Sequence, residues 1–224
     1  MARLRGLSLV DQAEEEISRR IDVGELKPGD RLSIARFAKE FGTSVVPIRE
    51  AMARLHSKRV LSFQPNKGYA VAPHPGAMEI SRMMDARLAL ELGALEVAFQ
   101  YLVPDDVAEL RKINAEVRGR EFDATVEGYR AFVKLNERFH MRLIGIAGNE
   151  FLTDAYESIG FHRKITRALR GRRVHDIATL AAEHEAIIDA MERGDKAACR
   201  DHLGAHIIDS YARLRASGAL DGVA

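Results

Sequence analysis

The sequence has one cysteine, Cys199, and no apolar run long enough to cross a bilayer. A lone cysteine excludes a disulfide framework within the chain and fits a reducing compartment. The apolar stretches near residues 88–99 are broken by Glu91 and Glu96, which argues against a spanning helix there. The opening MARLRGLSLVDQAEEE carries two early arginines but no apolar core, and acids follow at once, so a secretory leader is not expected. A cytoplasmic protein with no membrane partner is the expectation. A glycine-rich phosphate loop, a nucleophile elbow and an H-E-x-x-H zinc motif are also missing. Glu137 and His140 form an E-x-x-H pair, but no other histidine has glutamate three positions before it. A di-iron carboxylate bundle needs a second such pair. Together these absences argue against an enzyme.

What is present is unevenly distributed. Hydrophobic residues at 46% and charged residues at 30% describe an ordinary globular chain, and 224 residues suffice for one large domain or two modest ones. The net charge of +1 hides a division: residues 1–75 carry 13 Lys/Arg against 9 Asp/Glu, and the remainder 21 against 24. Within residues 31–75 the ratio is 8 to 2. A basic module joined to a mildly acidic one suggests a polyanion partner for the first alone.

Periodicity predicts three short helices and a hairpin at the N-terminal end. Val10, Ala13, Ile17 and Ile21 recur at helical spacing over about Ser8–Val23, and Gly24 ends that helix. Ser33 caps a second helix that buries Ile34, Phe37, Ala38 and Phe41, and Ser44 caps a third running to about Ser57. The third places Ile48, Met52 and Leu55 inward, with Pro47 in its first turn, where the missing N–H costs little. Val60–Gln64, a turn at Pro65–Gly68 and Tyr69–Ala72 then read as strand, turn, strand. This is a winged helix-turn-helix arrangement.

From Ala77 onward helices are expected near 77–101, 105–120, 124–147, 150–171, 174–193 and 195–216, with no strand. The fold class is mainly α: an N-terminal winged helix-turn-helix (1–73), a linker at 74–76, an all-α antiparallel bundle (77–216) and a tail at 217–224.

With Ile48, Met52 and Leu55 inward, Val46, Arg49 and Ala53 share the outer surface of the third helix. Arg49 is the natural base reader, because its fork pairs bidentately with a guanine edge. Val45 or Val46 suits a thymine methyl. Ser44 can join the helix N-terminal amides in holding a phosphate, and Lys67, beside Gly68 at the hairpin tip, reaches backbone or minor groove. Double-stranded operator DNA is the expected partner.

The run Leu26-Lys27-Pro28-Gly29-Asp30-Arg31-Leu32, then Phe37-Ala38, Ser44 through Leu55 and Asn66-Lys67-Gly68-Tyr69-Ala70-Val71 closely resembles the GntR family DNA-binding domain. It departs from that pattern at Val45, where arginine is common, and at Ala35, where arginine is frequent but here stands next door as Arg36. The second half resembles the FCD effector domain of the FadR subfamily through Arg87-Leu88-Ala89-Leu90-Glu91, Asn136 through His140, Ala147-Gly148-Asn149, His184 to Asp195, and His206. Six bundle helices rather than seven would favour its VanR-like branch. The resemblance implies a homodimeric, ligand-responsive transcriptional regulator, with repression the expected sense. The alternative is a structural DNA-binding protein whose bundle only dimerises.

Asn136 and His140 lie four apart on one helix face, and His184 and His206 fall on two later helices. Three imidazoles and one oxygen suit a divalent metal, zinc first. Aspartate is usual in the family where this chain has Asn136, a neutral and weaker donor. His202, four residues before His206, is a second candidate on the last helix. Arg87 either binds a small carboxylate effector or forms an ion pair with Glu91 within its helix.

Overall fold

The computed structural model describes residues 8–122, 125–161, 165 and 177–216. The expected tail at 217–224 and the ends 166–171 and 174–176 of two expected helices lie outside them. The chain divides into two compact units, Met1–His74 and Pro75–Ala224.

The first unit opens with α1 (Leu9–Asp22). Ser8 and Asp11 form a reciprocal capping box at its start, satisfying amides that would otherwise lack partners. Its inward stripe is Ala13, Ile17 and Ile21. After β1 (Arg31–Leu32), Ser33 caps α2 (Ile34–Glu40) with its side chain, and α3 (Val45–Ser57) follows a turn at Gly42. The stripe of α3 is wholly buried: Ile48, Met52 and Leu55 have no exposed surface. Each such side chain contributes about 1.5–3 kcal/mol relative to exposure, which is why this face and no other turns inward.

β2 (Leu61–Gln64) and β3 (Gly68–Val71) form the hairpin, in register Leu61 to Val71 and Gln64 to Gly68. Asn66 adopts φ 66° behind Pro65, as the third position of a type II turn requires. The structure adds what periodicity does not: β1 pairs antiparallel with β3, giving a three-stranded sheet in the order β1-β3-β2. Two residues are too few to show a period, and only their partner makes them a strand.

The described regular structure of the second unit is all helical: α4 (Ala77–Ala98), α5 (Pro104–Arg118), α6 (Val126–Gly145), α7 (Glu150–Ile159), α8 (Ile177–Glu192) and α9 (Lys196–Ala216). Its core runs through Leu95, Leu110, Phe139, Leu143, Ile187 and Leu203. No helix among the described residues is long and apolar enough to cross a membrane. One expectation is corrected. The single helix drawn over 150–171 ends at Ile159, where Gly160 turns left-handed (φ 60°, ψ 29°), while Phe161 and Ile165 are helical again beyond it. The expected helix is therefore broken at Gly160. Apolar periodicity runs on past the break because Phe161 and Ile165 belong to the same core as α7.

Gly160→Ala forces a side chain into the left-handed region and is expected to cost about 1–2 kcal/mol. Urea unfolding should show a lower midpoint at unchanged slope. An unaltered midpoint would mean that the break at α7 does not depend on this backbone conformation.

Candidate functional site

Two constellations emerge, one in each unit. In the first, burying the α3 stripe turns the other side of that helix outward. Ser44, Val45, Val46 and Arg49 are all exposed there, Val46 to 64%. The Ser44 side chain makes no capping hydrogen bond, which leaves the first-turn amides open to an anion. Two arginines of α3 behave differently. Arg54 is tied to Asp11 at 3.0 Å and to Glu50 at 2.6 Å, bracing α3 against α1. Among the described residues, Arg49 has no ion pair or side-chain hydrogen bond. Arg36 is exposed on α2, Lys67 is exposed at the hairpin tip, and Gly68 follows with φ 77°. Pairing of β1 with β3 also brings Arg31 into one groove with Ser62, Gln64 and Lys67. Arg31 was missed because its strand was missed.

In the second unit α6, α8 and α9 carry His140, His184 and His206 into the core. All three are buried, and their ligand atoms lie within 4.8 Å of one another. His140 Nε2 and His206 Nε2 stand 3.3 Å apart. Nitrogens sharing one zinc at ordinary bond lengths are about 3.0–3.5 Å apart, so this pair has the spacing of common ligands. His184 stacks on Phe139, ring centroids 3.8 Å apart and planes 7° from parallel.

Carboxylates orient two of the rings. Glu91, fully buried on α4, accepts from His140 Nδ1 at 2.7 Å, and Glu183 accepts from His206 Nδ1 at 2.8 Å while Arg213 grips both Glu183 oxygens. A carboxylate on Nδ1 fixes the tautomer that leaves Nε2 as the donor atom, the usual support for a metal-bound histidine. Burial, aided by Arg87 and His206, holds His140 well below the ordinary imidazole value. Burial also lowers His206, although Glu183 pulls the other way. Neutral rings are the form that binds metal. The donor set therefore fits a divalent ion. Asn136 is buried one turn before His140 on the same helix, whereas His202 is exposed, leaving His206 as the inward residue of α9.

Arg87 is 1% exposed. Its Nε donates to Glu91, its Nη2 lies 2.8 Å from His140 Nε2, and its guanidinium covers the Phe161 ring at 4.8 Å. Burial disfavours its charge, but Glu91 and Tyr156 together outweigh that and raise its pKa. The intrahelical pair with Glu91, one of the two readings of Arg87, is thus present. The contact to His140 spans 53 residues and leaves no local signal in the sequence. Glu183 and Arg213 were likewise not anticipated as partners of His206.

The comparisons with known proteins agree with this division. The family described as bacterial regulatory proteins, gntR family, matches residues 9–71, and the FCD domain matches residues 82–209. The chain is similar to the HTH-type transcriptional regulator McbR of Escherichia coli, 28% identical over 70% of this chain and 69% of that one. It is 32% identical to an HTH-type transcriptional regulator in an unstable DNA locus of Streptomyces ambofaciens, over 86% of this chain and 80% of the other. A probable D-xylose utilization operon transcriptional repressor of Paenarthrobacter nicotinovorans is 26% identical over 98% of this chain and 95% of its own. The solved structure of E. coli McbR/YncC shares the fold, with a TM-score of 0.70 at 24% identity, covering 94% of this chain and 99% of that one.

Glu91→Ala strands the Arg87 charge in the core. Breaking one side of a buried pair costs about 3–5 kcal/mol, so a large fall in the thermal stability of the full chain is expected. A melting temperature within a degree or two of wild type would show that Glu91 does not hold this network together.

Proposed function

Since this chain belongs to the GntR family of bacterial regulatory proteins and carries an FCD domain, we propose that it is a transcriptional repressor whose grip on operator DNA is set by a small organic acid bound in the helical unit. As a family member it is a transcriptional regulator; the sense of regulation and the ligand are our reading. The observation that carries it is the contrast on α3, where Arg54 is committed to acids of its own unit and Arg49 is left facing outward.

On this reading Arg49 reads a guanine edge in the major groove, Val45 and Val46 meet a thymine methyl, and Ser44 with the first-turn amides holds a phosphate. Arg36 reaches the flanking backbone, and Lys67 with Gly68 lays the hairpin tip on the backbone or in the minor groove. Two chains pair so that two such units meet a palindromic operator. The helical unit takes a small carboxylate effector. His140, His184 and His206, with Asn136 as a weak fourth donor, would hold a divalent metal, zinc first, which would supply a Lewis-acidic position for that carboxylate. Arg87 is the cation nearest that position. An effector changes DNA affinity only through different affinity for the protein's DNA-competent and incompetent arrangements. The name of the Paenarthrobacter relative supports repression as the sense.

Duplexes selected from a random pool by the wild-type protein test the first half. Arg49→Ala should weaken binding to the selected duplexes by about ten- to a hundredfold, the worth of a bidentate base contact. Retained affinity would refute the role assigned to Arg49. Arg54→Ala, by contrast, should alter stability more than base preference.

For the second half, elemental analysis of purified protein should find about one divalent ion per chain, and His140→Ala or His184→Ala should remove it. The same variants should blunt the shift in melting temperature caused by small carboxylates. Metal content unchanged in both variants rejects the site. If no carboxylate or metal moves either DNA affinity or melting temperature, the chain is a structural DNA-binding protein whose helical unit only pairs.

A further inference from the structure

The nitrogen of His140 that faces the cluster already has a partner. Arg87 Nη2 stands 2.8 Å from His140 Nε2, and Glu91 Oε2 stands 2.7 Å from His140 Nδ1. A guanidinium has donors and no acceptor, so Nε2 accepts and the ring proton sits on Nδ1, donated to Glu91. Each unprotonated imidazole nitrogen offers one lone pair. The lone pair that serves Arg87 is the one a metal would need. The guanidinium is also held from two further sides, by the ion pair through its Nε to Glu91 and by the face of Phe161.

The neighbouring ring makes the arrangement more pointed. His206 gives its Nδ1 side to Glu183, so its Nε2 also turns to the cluster, 3.3 Å from that of His140. Two acceptor nitrogens this close repel each other, and the Arg87 guanidinium supplies positive charge beside them.

We propose that Arg87 is the cluster's resident cation, competing with a divalent ion for the lone pair of His140 Nε2, so that metal binds only when the guanidinium leaves that nitrogen. The inference rests on the metal part of the reading above and deepens it. It makes metal affinity a difference between two occupants rather than a property of the histidines alone. The three-histidine set can then be of ordinary composition and still hold metal less tightly than its donors alone would allow, because loading must first break a charge-assisted hydrogen bond. It also gives Arg87 a positioning role that a simple helix ion pair lacks, since the Glu91 contact alone does not require the guanidinium to reach α6.

The test is zinc affinity of the full-length chain, stripped with a chelator and titrated against a chromophoric competitor. Arg87→Met removes the competing donor and keeps most of the volume. The double variant Arg87→Met with Glu91→Gln also removes the charge that would be left behind, while the glutamine oxygen still accepts from His140. A hydrogen bond from a charged donor corresponds to roughly a ten- to hundredfold factor, so both variants should bind zinc tighter than wild type by about that much. Zinc binding no tighter in the variants than in a wild type that does bind zinc overturns the competition and leaves the metal reading intact. Absence of zinc binding in wild type and variants alike overturns both. Should the variants not fold, nitrogen-15 NMR of the unmutated chain decides. Zinc should abolish the slow exchange of the Arg87 Nη2 protons, and slow exchange at Nη2 that persists with zinc bound overturns the proposal.

Discussion

A full positive charge and a full negative charge sit one helical turn apart on α4, inside an apolar bundle. Neither tolerates the low-dielectric interior alone, so each must be satisfied on every side that water has left. Glu91 divides its two oxygens between Arg87 and the His140 ring, and Arg87 divides its donors between Glu91 and that same ring. The loop of three residues links α4 to α6 and settles which nitrogen of His140 carries the proton. From that choice follows the direction in which the other nitrogen points, and with it the convergence on His184 and His206. Glu183 and Arg213 repeat the device for His206 with more access to solvent.

The first unit solves a different problem with simpler means. Its core is apolar, and its charged groups stay outside. Arg20 and Arg54 pair with acids on neighbouring elements and lock α1 to α2 and to α3, whereas Arg49 is left uncommitted. On the reading proposed above, α3 keeps the cation that meets DNA apart from its structural ones. The two units thus place arginine at opposite extremes. One is buried where its charge organises a cluster, and the other is exposed where its charge can be spent on a partner.

Legibility in the sequence follows the range of the interaction. The stripe of α3, the cap at Ser33 and the hairpin at Pro65–Gly68 are local, set by spacing and by the chemistry of single residues. They are found where periodicity and turn chemistry indicate. The histidines could be named as a set only through family likeness, since 44 residues separate His140 from His184 and nothing along the chain says that their rings meet. The two-residue strand β1 and the break at Gly160 lie beyond such reading. The first has no pattern without its partner, and the second interrupts a backbone without interrupting the apolar period.

By itself, then, the chain's order of residues determined the helices, their buried faces, the basic character of the first unit and the outward position of Arg49, because each depends on neighbours within a turn or two. Tertiary structure alone decided that Arg87 reaches across from α4 to His140, that Glu183 answers His206, and that Arg31 shares a groove with Lys67. Those contacts form only when packing excludes water. A charge must then find its partner among whatever the fold has brought near, whatever the separation along the chain.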